Sequence, residues 1–319
     1  MVIAYHLVVM VIETSSLGRQ FGKFTAVEDI SISVGKGEVF GFLGPNGAGK
    51  TTTVRMLTCL ISPTSGSASV CGFDIKDKKS AASIRRKTGI LTESPGFYET
   101  LTVRKNLRFF ADLYHVDGKK ANETIEQYLR LFGLYDKRDQ VVGGFSKGMR
   151  QKLALIRCLM HEPEVLFLDE PTAGLDPESA RVVRDAILSL KKEGRTIFLC
   201  THNLDEAERL CDKVAIINRR ILYAGSPGSL KDSVYGRKLV VRLEAVSPSV
   251  YKAVSHMPVV EAIEKKDDRI ILQVDDPERH SPDIVDAIIR AGGRIRSVGE
   301  LRHSMEDVYI KLIGDRCEL

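Results

Sequence analysis

The amino-acid sequence predicts an α/β fold carrying a helical insert, followed by a small α+β domain. Three observations point there. Short apolar strands lead into loops and helices near residues 38–62 and again near 165–202. A charge-rich helical stretch over about 84–150 separates these two blocks. The last stretch, 229–319, changes punctuation and reads as strand, helix, hairpin, helix and strand.

Taken in order, Ile30, Ile32 and Val34 alternate with polar residues, the mark of a half-exposed strand. A Gly35-Lys36-Gly37 turn leads into "EVFGFLG", an apolar strand ending in a glycine loop, and "TTTVRMLTCLI" reads as a helix closed by Ser62-Pro63. Between Ile84 and Leu134, "TVRKNLRFFADLYHV" and "NETIEQYLRLFGL" read as helices rich in charge. The β/α pattern resumes with "EVLFLDE", the helix "ESARVVRDAILSLKKEG" and the strand "TIFLCTH". In that helix Val182, Val183, Ala186, Ile187 and Leu190 form one apolar face, and Gly194 suits its C-terminus. "VAIIN", a turn at Arg219-Arg220 and "ILYAG" form a hairpin.

Dense punctuation at Ser226-Pro227-Gly228 divides the chain into a domain over 12–228 and another over 229–319. In the second, "KLVVRLEAV", "SVYKAVSHM", a hairpin turning at Asp267-Asp268, a helix capped by Ser281 and Pro282, and a strand after Gly292-Gly293 give the order β-α-β-β-α-β. That is the split βαβ, ferredoxin-like pattern. A last helix opens at Ser304 with Asp307 three residues on, as in a capping box.

Bulk properties narrow the function classes. Hydrophobic content of 43% with 28% charged residues describes a soluble globular protein. The net charge of +5 is spread without a dominant basic block, which does not exclude nucleic-acid binding but gives it no support, and no nucleic-acid partner is expected. The 6 cysteines show no paired CxxC spacing and mostly lie in apolar segments, which reads as reduced core thiols. No apolar run approaches the roughly 20 residues that cross a bilayer, so the chain is not expected to enter the membrane itself. "MVIAYHLVVMVIE" is too short to span and lacks a basic start, and residues 1–11 read as an extra N-terminal segment. His256, His280 and His303 lie on separate elements and read as surface residues.

"GPNGAGKT", Gly44 to Thr51, fits GxxxxGK[ST] in full and sits between a strand and a helix. Its glycines let backbone N–H groups close on phosphate oxygens at a helix N-terminus. Lys50 would neutralise the β- and γ-phosphates, and the Thr51 hydroxyl would hold Mg²⁺. The binding loop is therefore Gly44, Pro45, Asn46, Gly47, Ala48, Gly49, Lys50, Thr51 and Thr52. In "VLFLDE" the buried strand ends at Asp169, placed for Mg²⁺, and Glu170 follows as the carboxylate that would polarise the attacking water. Two acids after a strand would alone read as a surface turn; behind a complete phosphate loop they read as the second half of a triphosphate site. His202 ends "TIFLCTH" at the same sheet edge and joins the catalytic set with Glu170 and Lys50.

These stretches, with "FSKGMRQ" at Phe145–Gln151 and "VLFLDEPTAGLDP" at Val165–Pro177, stand in the order and spacing of ATP-binding cassette ATPases. The resemblance covers about residues 12–228, and the tail with "MEDVYIKLIG" resembles the C-terminal module of drug- and polysaccharide-exporter subunits. It implies a P-loop NTPase cassette that binds ATP and Mg²⁺. Two copies would pair head to tail, with Ser146, Lys147 and Gly148 of one closing on the ATP of the other. This accounts for a second glycine loop, "VVGGFSKGMRQK", in a chain that already has one. The resemblance puts Phe21 in the place of the aromatic that stacks on adenine and Asp176 in the loop that crosses the dimer. Glu93 stands where the family usually has Gln, which leaves its contact with Mg²⁺ open. Lys147 replaces a glycine of the family pattern, and its side chain is expected to point outward.

The function implied is an ATPase subunit that drives separate transmembrane permease subunits, on the cytoplasmic face of the membrane and in the export direction. A soluble ATPase of repair or translation is the competing reading, disfavoured by the single cassette and the absence of a long insert between Lys50 and Ser146. A ligand-sensing tail is a third, and stabilising the dimer is the preferred role for residues 229–319.

Overall fold

The computed structural model describes residues 9–92, 96–301 and 304–317. Two compact units emerge, Met1–Pro227 and Gly228–Leu319. The first begins with β1 (Met10–Phe21), β2 (Phe24–Ile30), β3 (Ser33–Gly35) and β4 (Val39–Leu43), then α1 (Lys50–Leu57), β5 (Ser65–Val70), β6 (Phe73–Asp74), α2 (Ser80–Lys87) and β7 (Thr88–Leu91). The insert follows with α3 (Val103–Leu113), α4 (Gly118–Leu131) and α5 (Lys147–Leu159). The α/β pattern returns with β8 (Val165–Asp169), α6 (Pro177–Lys192), β9 (Thr196–Thr201), α7 (Leu204–Leu210), β10 (Lys213–Asn218) and β11 (Arg220–Gly225).

Two sheets enclose the core. One runs β11-β10-β4-β9-β8-β7, parallel except for the β10–β11 hairpin. The other is antiparallel, β2-β1-β5-β6 with β3 also on β1. Every residue of β4, β8 and β9 is buried, which is why these strands read as unbroken apolar runs rather than as alternation. Phe198 packs between Phe40 and Phe167 at ring distances of 5.6 and 5.5 Å. Val54, Met56 and Leu57 of α1 join the same cluster, so the helix that follows the phosphate loop is seated in the core.

Several expectations meet corrections. The segment read as an extra, 1–11, lies outside the described residues as far as 8. Beyond that it is sheet: Lys36 N–H donates to Val9 O, Cys71 N–H donates to Val11 O, and Val11 is buried. The helix expected to reach Ile61 stops at Leu57, because Cys59 takes a left-handed φ of 56° and Leu60 N–H returns to Arg55 O at 2.8 Å. Within the stretch read as helical from residue 84, Thr88–Leu91 is the edge strand of the main sheet. Four residues are too few for a strand period to show.

The second unit contains α8 (Pro227–Tyr235), β12 (Lys238–Leu243), α9 (Pro248–Ser255), β13 (Ala262–Lys266), β14 (Arg269–Gln273), α10 (Pro277–Arg290), β15 (Ile295–Glu300) and α11 (Met305–Cys317). Its antiparallel sheet runs β13-β14-β12-β15, the interleaved order of a ferredoxin-like domain. The α10 cap is Asp276 with Pro277 at the first position, not Ser281-Pro282. Pro282 lies inside the helix, and the Ser281 hydroxyl donates to Glu278 O at 3.3 Å, the carbonyl that Pro282 has no amide to reach. His280 is buried rather than exposed, with Nε2 2.8 Å from Asp275 Oδ1; His303 lies outside the described residues. Ser304 and Asp307 bond reciprocally as a capping box. Burial pushes the Cys71 and Cys158 thiols up to about 11, as core thiols.

Candidate active site

The carboxyl ends of β4, β9 and β8 lie side by side, with Leu43 opposite Thr201 and Asp169 opposite Cys200. Each is followed by one of the chemistry-bearing segments, and crevices at such strand ends are where α/β sheets take ligands. A cavity of about 280 Å³ is lined there by Phe24 and Ala26, by Pro45, Asn46, Gly47 and Gly49 to Thr52, and by Asp169, Glu170, Ala173 and His202. Gly44 and Ala48 face inward; a Cβ on Gly44 would come within 2.5 Å of Ile217 O. Gly49 has φ 102°, and a Cβ there would stand 2.6 Å from Ala26 O, so a side chain is excluded twice over.

Lys50 is 6% exposed and donates to Gly44 O at 2.6 Å, with Nζ 3.7 Å from Glu170 Oε1. The Thr51 hydroxyl donates to Asp169 Oδ2 at 2.7 Å. These are hard oxygen donors of the kind that suit Mg²⁺, with substrate phosphate completing the shell. Among the described residues no group of three or more His, Cys, Asp or Glu could hold a metal by itself.

Glu170 sits at φ 50°, a costly conformation for a residue with a side chain, held by its N–H bond to Cys200 O at 2.9 Å. His202 Nδ1 donates to Glu170 Oε1 at 2.8 Å, and the residue lines the cavity. The Thr201 hydroxyl lies 3.3 Å from Glu170 Oε2.

Ser146, Lys147, Gly148 and Asp176 do not line this cavity. They form a second surface of their own. Ser146 caps α5 by accepting Met149 N–H at 3.2 Å. Gly148 packs against α6, where a Cβ would meet Ser179 Oγ at 2.8 Å. Asp176 caps α6, and the Ser179 N–H it accepts holds its carboxyl below the usual range. Lys147 is exposed, but the ammonium end of its side chain lies over Gly174 instead of pointing outward; the left-handed glycine leaves room for it.

Comparisons with known proteins fit this geometry. The family model described as "ABC transporter" matches residues 27–173, and "ATP-binding protein DrrA1-3-like, C-terminal domain" matches 225–313. The chain is 34% identical over 311 residues to the daunorubicin resistance ATP-binding protein DrrA2 of Streptomyces coeruleorubidus, covering 96% of each. It is 36% identical over 306 residues to the bacitracin transport ATP-binding protein BcrA of Bacillus licheniformis, covering 95% of this chain and 97% of that one. This chain belongs to the ATP-binding subunits of ABC transporters.

A solved ABC cassette in its ADP conformation superposes with a TM-score of 0.61 at 26% identity, over 69% of this chain and 92% of the other. The ABC subunit is an ATPase with a nucleotide-binding cassette and a DrrA-like C-terminal domain. Among its described residues no helix is long and apolar enough to cross a membrane.

Phe21 is 44% exposed with the Arg19 guanidinium 4.5 Å over its ring, and it is not in the cavity wall; its hairpin partner Phe24 is. Phe24 carried a signal that sequence reasoning passed over: a large apolar residue directly after a Gly-Lys turn, 51% exposed once folded. Glu93 lies outside the described residues. Thr201 and Glu206, both buried beside Glu170, were also missed, because nothing in a Thr or Glu next to a helix start distinguishes it from an ordinary cap.

Proposed function

We propose that two copies of this chain pair head to tail around two ATP molecules and drive separate membrane-spanning permease subunits in export. One observation carries the reading: Lys50, Thr51, Asp169, Glu170 and His202 gather on one cavity, while Ser146, Gly148 and Asp176 form a separate surface of the same chain. A triphosphate at the first needs the second from another copy to be enclosed. The α5 N-terminus, with Ser146 at its cap, offers amide N–H groups and a positive dipole end to the partner's γ-phosphate.

In this reading Lys50 exchanges its loop carbonyls for β- and γ-phosphate oxygens. Thr51 and Asp169 would hold Mg²⁺, which when bound with ATP neutralises charge on the transferring phosphoryl group. Glu170 orients and polarises the attacking water. His202, fixed by its Nδ1 bond to Glu170, presents Nε2 to the γ-phosphate. The base lies toward the Phe21–Phe24 hairpin.

The permease face is proposed on the insert. Tyr98 and Phe109 are exposed and meet edge to face at 4.9 Å, and Phe110 and Phe97 continue the patch. Buried Asn106 holds the loop beneath them, accepting Tyr98 N–H at 2.9 Å and donating to Tyr98 O and Thr102 O. An exposed aromatic patch on a fixed loop suits an amphipathic segment of a membrane protein at the cytoplasmic surface. The names of the daunorubicin and bacitracin relatives support a drug-like or antibiotic cargo.

The test is the Glu170→Gln chain. With ATP and Mg²⁺ it is expected to elute as a dimer, to revert to monomer without nucleotide, and to hydrolyse ATP on the order of a hundredfold more slowly. A variant that stays monomeric under ATP would overturn the paired-site reading. A tagged wild-type chain from native membranes should bring down a polytopic protein.

A further inference from the structure

Glu206 is a carboxylate that the reaction as described does not use. It lies on α7 and is 2% exposed, so it cannot touch nucleotide. Its backbone N–H is held by Asn203 Oδ1 at 2.9 Å, which fixes where the side chain starts. Oε1 accepts the Thr172 hydroxyl at 2.8 Å, and Oε2 stands 3.4 Å from the Thr201 hydroxyl.

Those two threonines belong to the two loops that meet at the cavity. Thr172 lies between Glu170 and Asp176, in a stretch wound tightly by Ala173 N–H to Glu170 O and Leu175 N–H to Thr172 O, both at 3.2 Å. Thr201 is fully buried, directly precedes His202, and accepts Asn203 N–H at 3.0 Å. Its single hydroxyl proton faces two carboxylates at nearly equal distance, Glu170 Oε2 at 3.3 Å and Glu206 Oε2 at 3.4 Å.

A buried carboxylate is a poor choice for stability alone, since a neutral group of the same size avoids the desolvation cost. Burial raises the proton affinity of Glu206, offset by the Thr172 bond and the charge of Arg184. What the carboxylate provides is two acceptor oxygens on a rigid fork. We infer that Glu206 is a positioning residue that fastens the Thr172–Asp176 loop to the Thr201–His202 strand end, so that Glu170, His202 and the loop reaching the second copy move as one body. The inference rests on the reading that Glu170 drives hydrolysis.

The test uses the full chain with four variants: Glu206→Gln, Thr172→Val, Thr172→Ser and the double Glu206→Gln/Thr172→Val. A carboxamide has one acceptor oxygen, so the Thr172 and Thr201 hydroxyls can no longer both donate to this residue, and its NH2 group could meet Thr201 only as a donor. Turnover of Glu206→Gln and Thr172→Val is expected to fall about tenfold, with KM for ATP and affinity for a fluorescent ATP analogue within about twofold of wild type. Thr172→Ser keeps the hydroxyl and should restore turnover. The double variant should be no slower than either single, because both remove one link. Wild-type turnover in Glu206→Gln beside an inactive Glu170→Gln overturns the inference alone. A parallel loss of nucleotide affinity and turnover also overturns it, since that marks a general structural defect. Wild-type hydrolysis by Glu170→Gln overturns the underlying reading and the inference with it.

Discussion

Arg150 Nη1 donates to Glu99 Oε1 at 2.7 Å, while Nη2 reaches Gly143 O at 3.0 Å and Nε reaches Phe145 O at 3.2 Å. One guanidinium therefore joins the loop under the aromatic patch to the loop that leads into α5. The ion pair is exposed and worth little by itself, about 0.2–1 kcal/mol; the two carbonyl bonds give the residue its hold. Arg150→Ala is expected to lower ATP turnover about tenfold, or ~1.4 kcal/mol in the barrier, with nucleotide affinity kept. Arg150→Lys should not restore it, because an ammonium has no planar fork. Glu99→Gln should stay within about twofold. Steady-state ATPase rates decide all three.

The Phe21–Phe24 pair closes the β1–β2 hairpin beside the cavity. Replacing both rings with alanine is expected to weaken nucleotide affinity about tenfold, at the lower end of base–aromatic stacking. Turnover at saturating ATP should survive. Fluorescent-nucleotide titration of each single variant assigns the share of each ring.

Burial holds the His161 imidazole below its ordinary value of 6.5, with the nearby Arg195 charge adding to the effect and the bond from Nε2 to Thr88 O opposing it. The folded chain thus keeps His161 neutral where the unfolded chain takes up a proton. That part of the stability is full above 6.5 and is lost as pH falls through the folded value. The melting temperature should decline between about pH 7 and about pH 5, a range in which histidine alone changes charge at its ordinary value. His161→Phe, which keeps the stack on Tyr114 seen at 3.8 Å, should flatten the slope.

Asn106→Ala removes a fully buried side chain that serves Tyr98, Leu101 and Thr102. Leaving such groups unpaired costs about 1–3 kcal/mol, read by denaturant unfolding. Capture of the permease should suffer more than ATP binding, because the loop holding Tyr98 loosens while the cavity is untouched.

The legible parts of the chain were those whose chemistry is local in sequence. GxxxxGK[ST] between strand and helix located the cavity wall, and the unbroken apolar runs of β4, β8 and β9 marked a parallel sheet whose strand ends carry it. The interleaved sheet of the second unit followed from element order. The less legible parts depend on through-space partners. Thr88–Leu91 takes its strand from pairing with β8, and the Asp276 cap wins over Ser281 because the α10 backbone starts earlier in the chain than its apolar face suggests. Lys147 folds onto Gly174, distant in sequence, and Glu206 acquires its bonds from two loops at once.

Placing Lys50 on one surface and Ser146 on another has a genetic consequence. If each pocket is assembled from two copies, a chain altered at Lys50 and a chain altered at Ser146 spoil the same pocket when they pair, and the opposite pocket inherits only sound parts. Two inactive alleles expressed together would then recover partial ATP turnover, from the one sound pocket in each mixed pair.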